Sequence, residues 1–231
     1  MLDDGCLVKS RIVDTGTDPL ARARELLVDW EPETVVATGY GRHLAREKLG
    51  CSVVTEIKAH ALGASRLFPE CRTVIDIGGQ DSKVIAVANG RQTSFEMNDR
   101  CAAGTGRFLE VMAATLGYAL DEFGPAALAA RESVSINSMC TVFSESEVIS
   151  LIARGSNRSS IALGLHESII SRLMALVGRV GAEPEVVLSG GGARNPCIRG
   201  LLERKLGVRL LVPGEPQLVG AIGAALCREA A

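Results

Sequence analysis

Two apolar strands in this chain run straight into glycine. Thr73-Val74-Ile75-Asp76-Ile77 leads into Gly78-Gly79-Gln80-Asp81-Ser82-Lys83, and Val186-Val187-Leu188 leads into Ser189-Gly190-Gly191-Gly192-Ala193-Arg194-Asn195-Pro196. Glycine at a strand end lets backbone N–H groups reach an anion with no Cβ in the way. Three consecutive glycines ahead of a helix are entropically costly unless something lies against their backbone, and a flat adenine or ribose answers that description. The plainer readings are an ordinary hairpin turn for the first cluster and a tight connection for the second. Gln80 and Asp81 beside the first cluster are of the types that orient a water or hold a metal-bound one, which makes them the candidate catalytic pair. Neither GxxxxGK[ST] nor a complete GxGxxG is present, so the two commonest phosphate fingerprints are excluded.

The remaining pattern is α/β. Short apolar runs predict strands at Val35–Ala37, 73–77, Lys83–Ala88, Gln92–Met97, Glu185–Leu188 and Arg209–Val212, with Asn89-Gly90 as a hairpin turn. Helices are predicted over Pro19–Trp30, Gly106–Leu116 and Pro216–Arg228. A further helix of about 20 residues carries Ile161, Leu165, Ile169, Leu173 and Val177 on one face. The 216–228 segment is rich in small residues and suited to close backbone approach. A break near Phe68-Pro69 divides the chain into two lobes, the second larger.

Seven cysteines are spread with no CxxC, which excludes zinc ribbons and thioredoxin-type motifs. Two have suggestive surroundings. Cys101 lies in Asn98-Asp99-Arg100-Cys101-Ala102-Ala103-Gly104-Thr105-Gly106-Arg107, just ahead of a glycine turn and a helix start. Cys140 lies in Ser138-Met139-Cys140-Thr141-Val142-Phe143, ahead of a second helix start at Ser144-Glu145-Ser146-Glu147. Helix N-termini favour thiolates and suit an anionic iron–sulfur cluster. Two such thiols cannot complete a four-thiolate set, but two from each chain of a symmetric dimer can. Gly104 and Thr105 are expected to border such a cofactor.

Charge balance and length exclude other classes. The 25 basic and 27 acidic residues leave a net charge of −2, against a general nucleic-acid binder. No uninterrupted apolar run approaches the ~20 residues that span a bilayer, and no signal peptide is expected, so a cytoplasmic protein without membrane or nucleic-acid partners is the expectation. His166 reads as a helix-face residue. His60 reads as local structure or as part of the cleft. Trp30, Tyr40 and Tyr118 read as packing residues, and Asp121-Glu122 as a solvated helix start.

Taken together, Thr38-Gly39-Tyr40-Gly41-Arg42, VIDIGGQDSKVI, MNDRCAAGTGRFLEVMA, MCTVFSESEVIS and SGGGARNP resemble one family along nearly the whole chain. It is the activator component of 2-hydroxyacyl-CoA dehydratases, which includes the ATPase subunits of benzoyl-CoA reductases (BadF/BadG/BcrA/BcrD type). The resemblance implies an actin-like ATPase fold of two ribonuclease-H-like lobes with ATP/ADP and Mg2+ in the cleft. On that basis residues 1–70 form the first lobe, 71–214 the second, and 215–231 a helix returning to the first. It implies a homodimer with one [4Fe-4S] cluster held by Cys101 and Cys140 of each chain. Gly78, Gly79 and Gln80 match a phosphate loop, Gly190, Gly191 and Gly192 the adenosine loop, and Gln217 a nucleotide contact. The family's Asp-x-Gly-Ser/Thr hairpin, a first phosphate cradle, precedes the point that Asp4-Gly5-Cys6 matches and is expected to be missing. The implied activity is ATP-coupled one-electron delivery from ferredoxin or flavodoxin to a dehydratase or aryl-CoA reductase. The alternatives are a reductase ATPase subunit, a non-redox actin-like small-molecule kinase and a nucleotide-binding relic.

Overall fold

The computed structural model describes residues 1–137 and 140–227. Ser138 and Met139 of the Cys140 motif, and Arg228 at the end of the expected last helix, lie outside the described residues. The chain opens with β1 (Leu2–Asp3) and β2 (Cys6–Leu7), an antiparallel pair turning at Asp4-Gly5, where both residues have positive φ. Next come α1 (Pro19–Val28), β3 (Val36–Ala37), α2 (Arg42–Leu49) and β4 (Ser52–Val53), with β3 and β4 parallel, and then α3 (Glu56–Leu67).

β5 (Thr73–Ile77), β6 (Ser82–Ala88) and β7 (Arg91–Asn98) form an antiparallel meander. The turn between β6 and β7 is Asn89-Gly90 with φ of +50° and +73°, the primed geometry that matches strand twist. Four helices follow: α4 (Gly106–Thr115), α5 (Leu120–Leu128), α6 (Thr141–Ala153) and α7 (Arg158–Val180). β8 (Val186–Ser189) then pairs parallel with β5, which gives the order β7-β6-β5-β8. The chain closes with a 3-10 turn at Gly191–Arg194, α8 (Pro196–Leu206), a second 3-10 turn at Pro216–Leu218, and α9 (Val219–Leu226).

Both faces of this sheet are covered at β5, which is buried throughout, and at most of β6, while the edge strand β7 is largely exposed. Because side chains alternate, Ile75 and Ile77 join Val84 and Leu188 against the helices carrying Phe108, Met112, Leu165 and Ile198. Val74 joins Ile85, Val87 and Val187 against Ala61 and Ala64 of α3 and Val219 of α9. The expected strand at 209–212 is a single bridge between Leu211 and Val187. Pro213, two residues on, has no N–H with which to extend the ladder.

α7 is long and apolar enough to cross a membrane by length and composition, yet 56% of its most apolar window is buried inside the protein. Asn157 caps it by accepting from the amides of Ser159 and Ser160, and Gly181 ends it in a left-handed conformation. The repeat from Ile161 to Val177 is buried as its spacing predicts. Ala162, His166 and Ile170 are buried as well, so the helix is enclosed on more than one side.

α3 and α9 touch backbone to backbone. A methyl group on Gly63 would strike the Val219 carbonyl, and one on Gly223 the Ala59 carbonyl. Gly223→Val is therefore expected to lower stability by about 1–3 kcal/mol or more. Gly200→Ala in α8, where a methyl meets nothing within 4 Å, is expected to leave it unchanged or raise it. Urea unfolding midpoints distinguish the two; equal midpoints for both variants would disprove the contact.

Candidate functional site

Asp76 shares the α3-facing side of β5 with Val74, and the hairpin register sets it directly opposite Lys83 on β6. Both side chains are buried. The Lys83 ammonium donates to Asp81 Oδ1 at 2.6 Å and Asp76 Oδ2 at 3.1 Å, and lies 3.0 Å from Glu56 Oε1. Asp76 Oδ1 accepts from Ser189 Oγ at 2.7 Å and lies 3.5 Å from His60 Nδ1. The Tyr40 hydroxyl reaches in from the β3–α2 loop and donates to Asp81 Oδ2 at 3.1 Å. One polar cluster thus draws on α3, β5, β6, β8 and the β3–α2 loop.

Its charges sustain one another. Burial alone raises the Asp76 pKa, but the charges of His60 and Lys83 and the Ser189 hydrogen bond outweigh it and hold the carboxyl below its ordinary value. Glu56 is lowered chiefly by its hydrogen bond with His60, against burial and with help from Lys83. Burial pulls His60 and Lys83 down, yet the surrounding carboxylates carry both above their ordinary values. Three carboxylates face one permanent cation, so the cluster carries excess negative charge.

The first glycine loop sits at its edge. Gly78 N–H bonds the Asp81 carbonyl at 2.9 Å, while Gly79 and Gln80 are exposed and a methyl on Gly79 would meet nothing within 4 Å. The second loop crosses the end of β5. Gly190 has φ +80°, a methyl there would strike the Ile77 carbonyl, and one on Gly192 would lie 2.5 Å from Ile77 Cγ2. The protein's own packing therefore requires two of these three glycines. Gly191 is exposed, and its methyl position lies 3.6 Å from the exposed Gln217 amide, so these two residues form the open edge.

The Cys101 segment is tied to the first loop. Gly106 and Arg107, the first residues of α4, donate their amides to the carbonyls of Gly78 and Gly79 at 2.8 and 3.0 Å. Those amides are thus taken by the first glycine loop. Asn98 Nδ2 holds the carbonyls of Cys101 and Ala103, both at 2.9 Å, and Thr105 Oγ1 donates to the Ala102 carbonyl at 2.6 Å. Buried Thr105 and Gly104, at φ +96°, therefore shape the turn from within. Cys140 is exposed at the N-cap of α6, whose Val142, Phe143, Ile149 and Ile152 face solvent, Phe143 at 66% exposure. Cys51, Cys71, Cys197 and Cys227 are buried, and burial pushes the thiols of Cys71 and Cys197 up to about 11.

Lys83, Glu56 and Ser189 went unmarked in the sequence, although Asp76 and Lys83 are paired by the hairpin itself. Tyr40 is not a packing residue: it is 66% exposed and bonded to Asp81. His166 lies on a face of α7 as expected, but that face is fully buried.

A family model described as the BadF/BadG/BcrA/BcrD ATPase family matches residues 7–227. The chain belongs to the BadF/BadG/BcrA/BcrD ATPase family. The "(R)-2-hydroxyglutaryl-CoA dehydratase activating ATPase" of Acidaminococcus fermentans is 48% identical over 191 residues, covering 83% of this chain and 73% of that protein. A solved "Activator of the 2-Hydroxyisocaproyl-CoA Dehydratase from Clostridium difficile with bound ADPNP" superposes with a TM-score of 0.82 at 41% identity, covering 95% of this chain and 82% of that one. One of the benzoyl-CoA reductase subunits of Thauera aromatica is 36% identical over 201 residues, covering 83% of this chain and 70% of that protein. This ATPase therefore has the expected actin-like fold.

Proposed function

We propose that this chain is the ATP-hydrolysing activator of a 2-hydroxyacyl-CoA dehydratase. It acts as a cytoplasmic homodimer that passes one low-potential electron from a shared [4Fe-4S] cluster to its partner enzyme, with ferredoxin or flavodoxin as donor. The observation that carries this reading is the join between its two sites: the helix that follows Cys101 starts on the carbonyls of Gly78 and Gly79.

The residues fit the implied groups. Gly79 and Gln80 present open backbone for phosphates, and Gly191 with Gln217 forms an edge for the adenosine. Asp76 and Asp81 are hard oxygen donors of the kind Mg2+ takes, and the negative excess around Lys83 calls for a cation before a polyphosphate can approach. Cys101, part-buried in the turn ahead of α4, and Cys140, exposed at the N-cap of α6, are unpaired thiols less enclosed than the four buried cysteines. When bound, the cluster supplies one-electron transfer and the nucleotide supplies the driving free energy.

The chain's own residues do the coupling. Gln80 orients the attacking water, and Asp81, held by Lys83 and Tyr40, fixes the loop geometry. Tyr40 belongs to lobe 1–70 and Asp81 to lobe 71–214, so their hydrogen bond spans the cleft and responds to lobe closure. Any shift of Gly78 and Gly79 is passed through the amides of Gly106 and Arg107 to α4 and the Cys101 turn. The exposed apolar stripe of α6 beside Cys140 suits the second chain of the dimer. The reductase reading shares the entire chemistry and differs only in partner.

Protein isolated under strict anaerobiosis is expected to be brown, with iron and sulfide equal to one cluster per two chains, and to activate a purified 2-hydroxyacyl-CoA dehydratase only with ATP. A colourless, iron-free protein that phosphorylates a small molecule would establish the kinase alternative instead.

A further inference from the structure

His166 lies in the middle of α7, fully buried, with a polar partner on each ring nitrogen. Nδ1 is 2.7 Å from the Ala162 carbonyl. A carbonyl only accepts, so Nδ1 carries the proton. Nε2 then presents a lone pair to Asn195 Nδ2 at 2.9 Å, and the amide must donate there. That leaves Asn195 Oδ1 facing α8, where it accepts from the amides of Cys197 and Ile198 at 3.0 and 3.1 Å. The tautomer of one ring thus decides which way the amide points.

Asn195 is also the residue that closes the second glycine turn. Its own N–H donates to the Gly192 carbonyl at 3.1 Å, just after Ala193 N–H bonds the Gly190 carbonyl. On α5, Phe123 packs its ring 4.7 Å from the imidazole. Next to it, Gly124 makes room: a methyl there would lie 2.5 Å from Asn195 Oδ1. α5, α7 and α8 therefore converge on the amide that ends the turn. Both ring nitrogens are satisfied, as burial of an imidazole requires, and one of the two partners is the residue that closes the turn.

We propose that His166 is a positioning residue for nucleotide binding, acting through Asn195 to set the turn at Gly190–Gly192. This rests on the reading of that turn as the adenosine edge. Burial pushes the imidazole down to about 4, against the Ala162 and Asn195 hydrogen bonds, and no charged group contributes. The ring is neutral across the working range, as an acceptor must be.

Asn195→Asp tests this directly. The carboxylate keeps both acceptors for the cap of α8 but has no hydrogen for Nε2, so two lone pairs confront each other until the ring takes a proton. ADP affinity of N195D is expected to approach wild type near pH 6 and to fall about tenfold by about pH 9, as a carboxylate-paired histidine titrates. Wild-type affinity should stay flat over the same range. Nitrogen NMR of His166 should show the proton arriving in the variant alone. A folded N195D with wild-type ADP affinity at every pH would overturn the proposal.

Should N195D fail to fold, Gly124→Ala decides, because it displaces Asn195 without changing charge. It should weaken ADP while sparing pyrophosphate, which needs only the 78–80 loop. Equal loss of both would mean general damage and overturn the assignment. Absence of ADP binding by the unaltered protein would remove the nucleotide reading itself, and this inference with it.

Discussion

Replacing Lys83 with methionine is expected to cost about 3–5 kcal/mol of stability at neutral pH, since the cation goes while Asp76, Asp81 and Glu56 stay buried or half-buried around its place. The loss should depend on pH in a set direction. Asp76 and Glu56 have folded pKa values below their ordinary ones, so they add stability above the ordinary carboxylate range and lose it as pH falls through their folded values. His60 runs the other way. Its raised value adds stability below its ordinary pKa, and that is lost as pH rises past the folded one. In K83M the carboxylates repel one another until protonated. The gap between variant and wild type should therefore be widest on the alkaline side and shrink toward pH 4. Urea unfolding at a series of pH values measures it. A gap independent of pH would mean that lost packing, not charge, is responsible.

Cys101→Ala and Cys140→Ala are each expected to remove bound iron and abolish electron delivery, with ADP affinity kept within about twofold of wild type. Neither thiol caps a helix: Cys140 sits at the N-cap of α6 with no side-chain hydrogen bond to the helix, and Cys101 is held through its carbonyl by Asn98. Stability should therefore change little. Cys6→Ala, also exposed, is the control that should keep iron, while Cys197→Ala should cost stability instead, because that side chain is in the core. The readouts are iron and sulfide content, nucleotide titration and dehydratase activation. Full iron in either Cys101→Ala or Cys140→Ala would exclude that thiol as a ligand.

The four-stranded sheet was legible because its signals are local. The 73–77 run, the Asn89-Gly90 turn and the four-residue repeat of α7 each depend on neighbours within a few residues. The segment 209–212 had the same apolar signature and yet makes one bridge, because Pro213 stops the ladder. A propensity cannot say which edge of a sheet a run will meet.

Side-chain partners followed the opposite rule. His166 and Asn195 are 29 residues apart, and Tyr40 and Asp81 are 41 apart, so nothing in either neighbourhood marks the pairing. The glycine triplet shows the same limit. Its order was readable as a need for backbone space, but only the fold shows that Ile77 fills that space at Gly190 and Gly192 and leaves Gly191 exposed.

By itself, then, the order of residues determined the kinds of element, the glycine loops, the two distinctive cysteine segments and, through their combined resemblance, the family. These are properties of short stretches, governed by backbone freedom and side-chain periodicity. The tertiary structure decided which charges share a buried cluster, which glycines are closed by packing, and that the helix after Cys101 begins on the first glycine loop. Those depend on distances between remote segments, and buried electrostatics and close packing act only once the chain has brought the segments together.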